Sequence, residues 1–156
     1  MKKDITNITT YESGVMQSTA HRLTMKVKSE YLAQYDITPM QWFVIGYVYE
    51  AGADGIRLND LRTIIDSTMP FITNTVNHLE AKGILHKVSK LDDSRVKIAK
   101  LNPKYTTLVE KIEAGLRTKL RQELYERDHI TRDELITYIS VIYKIAHDYE
   151  EDLAAS

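Results

Sequence analysis

The residues of this chain best suited to chemistry lie between Thr68 and Lys104, and the chemistry they suit is recognition of nucleic acid. The side-chain amides of Asn74 and Asn77 can pair with the N6 and N7 edge of adenine, and the methyl of Thr73 and the ring of Phe71 can meet thymine methyl groups. Downstream, Lys87, Lys90, Lys97 and Lys100 supply cations that contact phosphates or raise the local field, which strengthens binding without choosing sequence. Arg95 closes the polar run Asp92-Asp93-Ser94-Arg95. A guanidinium at a hairpin tip can enter a narrow minor groove, where the potential is most negative.

Those groups need a helix and a hairpin to hold them. From about Met69 to Lys82, Ile72, Val76 and Leu79 form one apolar stripe and Gly83 supplies a left-handed stop, which predicts a helix. With the stripe inward, a step of about 100° per residue turns Pro70, Thr73, Asn74 and Asn77 outward, with Phe71 and His78 at the edge. On a lone helix this face reads first as polar solvent surface, and the basic hairpin that follows reverses that preference in favour of groove recognition. Ile84 to Leu91 and Val96 to Leu101 are rich in β-formers and predict two strands with a tip at Asp92 to Arg95. Ahead of the helix, Asn59 is expected to cap a shorter one that turns Leu61, Ile64 and Ile65 inward, and Asp66-Ser67-Thr68 breaks it.

Net charge is −1 over 156 residues, but it is unevenly spread. Lys82 to Lys104 holds seven bases against two acids, a balance of +5 that leaves −6 on the remainder. From charge alone, a solvated lysine-rich hairpin is an equal account. The absence of cysteine excludes disulfides, thiolate metal ligands and cysteine redox switches. None of His21, His78, His86, His129 and His147 stands three or four residues from another, so no metal and no cofactor are expected. No nucleophile elbow, phosphate-binding glycine loop or dinucleotide fingerprint occurs, and no enzymatic activity is expected. No run approaches the ~18 apolar residues of a membrane span, and the first residues lack the apolar core of a secretory signal; a cytoplasmic protein with no membrane partner is expected.

The rest of the chain predicts helices. Residues 1 to 10 lack periodicity and are expected as a loose arm. Met16, Ala20, Leu23, Val27 and Tyr31 mark an amphipathic helix from about Tyr11 to Tyr35. Thr38-Pro39-Met40-Gln41 spells a capping box opening a second helix that is apolar nearly all round, which must be covered on several sides. Gly52 to Gly55 predicts a turn and Ile56-Arg57-Leu58 an extended piece. After Pro103, Leu108, Ile112, Leu116, Leu120 and Leu124 mark a long helix, and Thr131 to Glu134 spells a second capping box. The last helix carries Leu135, Ile139, Ile142, Ala146 and Tyr149 in a four-three seam that wants a partner helix.

Leu58 to Leu101 resembles the winged helix-turn-helix of the multiple antibiotic resistance regulator (MarR) family. The matches are Leu79-Glu80-Ala81-Lys82-Gly83-Ile84-Leu85 closing the second helix of the motif, and Asp93-Ser94-Arg95 followed by a strand ending at Leu101. The order of flanking helices extends the resemblance to the whole chain. It implies a mainly α fold with a small β-hairpin wing: a single domain over residues 1–156, with a winged-helix DNA-binding lobe at 38–101 and a helical dimerisation lobe from 11–35 and 103–150. It further implies a homodimer on a pseudo-palindromic operator in double-stranded DNA, with recognition helices about one turn (~34 Å) apart. Such a protein regulates transcription, most commonly as a repressor released by a small molecule.

DNA contacts are then expected at Thr68, Pro70, Phe71, Thr73, Asn74, Asn77, His78, Lys87, Lys90, Asp93, Arg95 and Lys97, with Asp93 orienting Arg95 through an ion pair. A small aromatic or anionic effector is expected against Met40, Trp42 and Phe43, with His21 and Arg22 as anion partners, although ordinary packing accounts for the same aromatics. Thr73-Asn74 stands where the family commonly has threonine and arginine, so base preference does not carry over. Leu101-Asn102-Pro103-Lys104-Tyr105 replaces a usual leucine, threonine and downstream glycine, which alters the entry to the long helix. Two rival readings stay open: a winged-helix protein-interaction module without DNA binding, and a divalent-metal-sensing regulator on the same fold.

Overall fold

The computed structural model describes residues 4–155, with side chains to residue 147. Packing divides the chain into a unit ending at Arg117 and a unit beginning at Thr118. Of the expected loose arm, residues 1–3 lie outside the described residues, and the part that is described is ordered by local hydrogen bonds. Asp4 accepts from the Thr6 N–H at 3.0 Å, and Thr9 and Glu12 form a reciprocal capping box that starts α1 (Thr10–Ala33). A polar N-terminal stretch without apolar period still builds turns when its side chains can satisfy backbone donors.

Asp36, at φ 54°, reverses the chain into Thr38. The Gln41 N–H donates to the Thr38 hydroxyl at 3.2 Å and the Thr38 N–H to the Gln41 side-chain oxygen at 3.0 Å, so α2 (Pro39–Glu50) begins where its cap predicts. Trp42, Val44, Ile45 and Val48 are buried, whereas Tyr47 is exposed. Gly52 and Gly55, both at positive φ, carry the turn into β1 (Ile56–Arg57). A Cβ on Gly55 would stand 2.5 Å from the Ala99 carbonyl oxygen, so glycine is what lets this edge close on the sheet.

The helix-turn-helix consists of α3 (Leu58–Ile64) and α4 (Met69–Ala81). Asn59 is not the cap of α3: the helix starts after Arg57 without a side-chain cap, and Asn59 sits inside it, accepting from the Arg62 Nε–H at 3.1 Å. That earlier start places Leu58 and Leu61 in the core and turns Ile64 out to 47% exposure. Asp66, at φ 52°, makes the break before α4, whose Ile72, Val76 and Leu79 are fully buried as their spacing predicts. The wing is β2 (Leu85–Lys90) and β3 (Asp93–Leu101); with β1 they form an antiparallel sheet, order β1-β3-β2, among the described residues. Asn102 caps a 3₁₀ turn at Pro103–Tyr105 that leads into α5 (Thr106–Leu120), with Val109, Ile112 and Leu116 buried.

In the second unit the predicted leucine stripe does not continue as a regular α-helix, because Arg121–Tyr125 widens into a π turn that contains Leu124. A hydrogen-bonded turn follows from Glu126, and His129, at φ 56°, closes it. Thr131 and Glu134 then exchange the predicted reciprocal bonds, at 2.7 and 3.2 Å, and α6 (Arg132–Ala155) follows. On α6, Ile139 and Ile142 of the seam are 59% and 41% exposed, and Ile136 and Ile145 are exposed as well. The Tyr149 side chain lies outside the described residues. Among the described residues, no helix is long and apolar enough to cross a membrane.

Candidate nucleic-acid interface

Helix α4 presents its polar face because its apolar stripe is held. The Thr68 hydroxyl caps the first turn, accepting from the Phe71 N–H at 3.4 Å, and Pro70 occupies that turn, where a missing donor costs nothing. With Ile72, Val76 and Leu79 in the core, Thr68, Pro70, Phe71, Asn74, Asn77 and His78 are exposed and Thr73 is half-buried. Thr75, a polar residue beside the apolar stripe, is buried and donates its hydroxyl to the Phe71 carbonyl at 2.8 Å.

The wing and helix α4 are joined by side chains. The Lys87 N–H donates to Glu80 Oε2 at 2.6 Å, and the Lys87 ammonium donates to Asn77 Oδ1. This engages the acceptor that a bidentate contact to adenine requires, and leaves the Asn77 amide N–H groups to donate to acceptors such as thymine O4 or guanine O6. Behind the helix, Lys82 pairs with Asp36 at 3.1 Å, the Tyr105 hydroxyl donates to the Lys82 carbonyl at 3.3 Å, and the Asn102 amide donates to the Gly83 carbonyl at 3.0 Å. Lys82 thus belongs to the scaffold, although its charge counts toward the basic segment. The unusual Asn102-Pro103 entry fixes the helix stop to the start of α5.

At the wing tip the outcome differs from the sequence expectation. Pairing runs from Leu85 with Leu101 to Ser89 with Lys97, then slips so that Lys90 faces Asp93. The turn is therefore Leu91-Asp92, with Leu91 fully exposed, and Ser94, Arg95 and Val96 bulge from β3. The Asp93 carboxylate is the physical cause. It accepts from the Arg95 N–H at 3.1 Å, from Nε at 3.1 Å and from a terminal guanidinium nitrogen at 3.2 Å, offering the backbone a local partner in place of the ladder. The Arg95 side chain, 89% exposed, is held at its base and free at its outer edge. Its guanidinium, and then its N–H, keep the Asp93 carboxyl below the ordinary value. Lys90 pairs with Asp92 at 3.4 Å and the Lys97 ammonium donates to Ser89 at 2.7 Å, which leaves these cations on the wing surface.

Helices α2 and α5 flank a cleft of about 590 Å³. Of the residues expected at an effector, Trp42 and Phe43 line it; Met40 is half-buried outside the lining, and His21 and Arg22 are exposed on α1, also outside it. The expected anion partners are therefore not gathered. Glu110 and Glu113 of α5 stand there instead, with Tyr47, Tyr49, Glu50 and Arg117. Tyr49 donates to Glu110 at 2.9 Å, which raises its phenol above the ordinary value, and Arg117 pairs with Glu113 at 2.6 Å. The two acids sit one turn apart in the sequence, but that α2 would face them could not be read from it.

No family model matches the chain. Among solved structures it is similar to a MarR-family transcriptional regulator from Rhodococcus sp. RHA1, with a TM-score of 0.81 at 13% identity over 91% of this chain and 97% of that one. It is similar to Sco3205, a MarR-family transcriptional regulator from Streptomyces coelicolor in complex with DNA, with a TM-score of 0.77 at 17% identity over 94% and 92%. It is also similar to CouR from Rhodococcus jostii RHA1 bound to p-coumaroyl-CoA, with a TM-score of 0.76 at 15% identity over 87% and 92%. The fold is that of the MarR-family regulators: mostly helical, with a small antiparallel sheet in a winged helix.

Proposed function

We propose that the chain is a sequence-specific, non-catalytic regulator of transcription that acts in the cytoplasm as a homodimer on a pseudo-palindromic operator. The observation that carries this reading is the pairing of two presentations: a polar α4 face at Pro70, Thr73, Asn74, Asn77 and His78, and an exposed Arg95 pre-oriented by Asp93. A neighbour of the same fold described in complex with DNA supports it. Helix α4 is the groove reader, Arg95 the minor-groove probe, and Lys87, Lys90 and Lys97 the phosphate contacts. Helices within 11–35 and 103–150 form the dimer, a role supported by the exposed isoleucines of α6. Repression is relieved when a small molecule enters the cleft between α2 and α5. A neighbour of the same fold described as bound to p-coumaroyl-CoA supports a small-molecule ligand, and the cleft of this chain supports the place.

Selection from a random pool of duplex DNA tests the class. Inverted repeats with half-sites about one turn apart are expected. Their affinity should fall by ~10³–10⁵ between 50 and 200 mM salt if ~6–10 phosphates are contacted. A flat salt response, or no enriched sequence, would move the chain to the protein-interaction class.

A further inference from the structure

We propose that the cleft between α2 and α5 binds an organic cation bearing aromatic or other flat apolar groups. As the ligand's role, relief of DNA binding rests on the regulatory reading; the binding itself does not. Three observations carry the assignment. First, the volume of about 590 Å³ falls in the range of small-molecule sites, ~300–1,000 Å³. Second, the walls are aromatic, with Trp42, Phe43, Tyr47 and Tyr49 contributed by a single helix. Third, the charged groups of the lining are Glu50, Glu110 and Glu113 against Arg117, and Arg117 is already paired with Glu113. Glu113 and Arg117 offset one another, which leaves Glu50 and Glu110 as the uncompensated charges of the lining. An anion entering this cleft would meet that net negative charge, and a cation would meet it together with the negative faces of π-systems.

The chain supplies its own indication of that preference. The Lys28 ammonium lies 5.3 Å from the Phe43 ring centroid, in the range of a cation–π contact, so this ring already accepts a positive charge. Lys28 is half-buried, and burial lowers its pKa while the field of Glu113 opposes the shift. The cleft acid and the wall ring thus act on one cation of the chain itself. A ligand cation would use the same two features from the cleft.

Tetraphenylphosphonium and tetraphenylborate, nearly the same shape with opposite charge, separate charge preference from simple hydrophobicity. Trp42 lines the cleft and is the one tryptophan of the chain, so its fluorescence reports occupancy in the full-length protein without DNA. Saturable quenching by the phosphonium and not by the borate is expected. Glu110→Gln and Glu113→Gln should each weaken phosphonium binding by up to about fivefold, the scale of a partly exposed ion pair. Lys28→Met should strengthen it by removing a competing cation. Equal quenching by both ions, preference for the borate, or indifference to the glutamate substitutions in variants with unchanged circular dichroism would overturn the assignment. If the phosphonium binds as expected while no DNA sequence is selected, the cation site stands and the regulatory reading falls. The converse result sinks the cation site and leaves regulation intact.

Discussion

Arg95 and Asp93 show what two positions of separation can do. The carboxylate holds the arginine backbone and head group at once, so the outward edge of the guanidinium is presented with little freedom left to lose on binding. The acid's pKa is depressed in the folded chain, so its pairing contributes above the ordinary value of 3.8 and is lost as pH falls below that. The carboxyl resonance of Asp93 should therefore titrate below 3.8 and move up toward it in Arg95→Ala, a shift read by NMR. The same variant should weaken operator binding by about tenfold or more, on the ~1–3 kcal/mol scale of a groove contact, without altering dimerisation. Asn77 is the second test. With its oxygen engaged by Lys87, it should favour an acceptor-bearing base, and Lys87→Met should shift the selected half-site toward adenine at that position. The type of these residues was legible in sequence. The bulge that sets Arg95 beyond the ladder was not, because it arises from a competition between side-chain and cross-strand hydrogen bonds.

Helices were legible where a side chain satisfies the backbone at their start. Both capping boxes predicted from threonine and a downstream glutamine or glutamate, at Thr38 and Thr131, form as expected. Thr38→Ala should cost about 1 kcal/mol in urea unfolding. Asn59 misled because an amide near a helix start also fits the helix interior, where it finds Arg62 one turn on. The packing of α1 against α5 was not legible at all. It depends on Gly115, where an added Cβ would stand 1.8 Å from the Tyr31 hydroxyl and 2.7 Å from its ring carbon. In α5 a glycine is otherwise a poor helix former, so its place is explained by the ring that needs the space. Gly115→Ala should destabilise the fold by ~1–3 kcal/mol through overpacking, and Tyr31→Phe should restore part of the loss, a rescue that a propensity effect would not give.

At the scale of the whole molecule, the proposed function gives the charge pattern and the exposed apolar residues partners of different kinds. In that reading the +5 segment from Lys82 to Lys104 meets DNA, and the isoleucines of α6 meet another apolar surface. A seam of helical period was visible in the sequence, but the identity of its partner is not encoded in one chain's periodicity. If that partner is a second copy, the two demands are coupled, because two wings tethered in one dimer bind two half-sites with the avidity of a linked pair. Ile139→Glu with Ile142→Glu would bury charge in the seam, and sedimentation should then report a monomer. Operator affinity should fall by ~10²–10⁴, the gain that linkage confers, while a single half-site is bound as before. A doubly substituted chain that sediments as a dimer would place the interface elsewhere. A true monomer that keeps full operator affinity would break the coupling and remove the twofold basis for reading a palindrome.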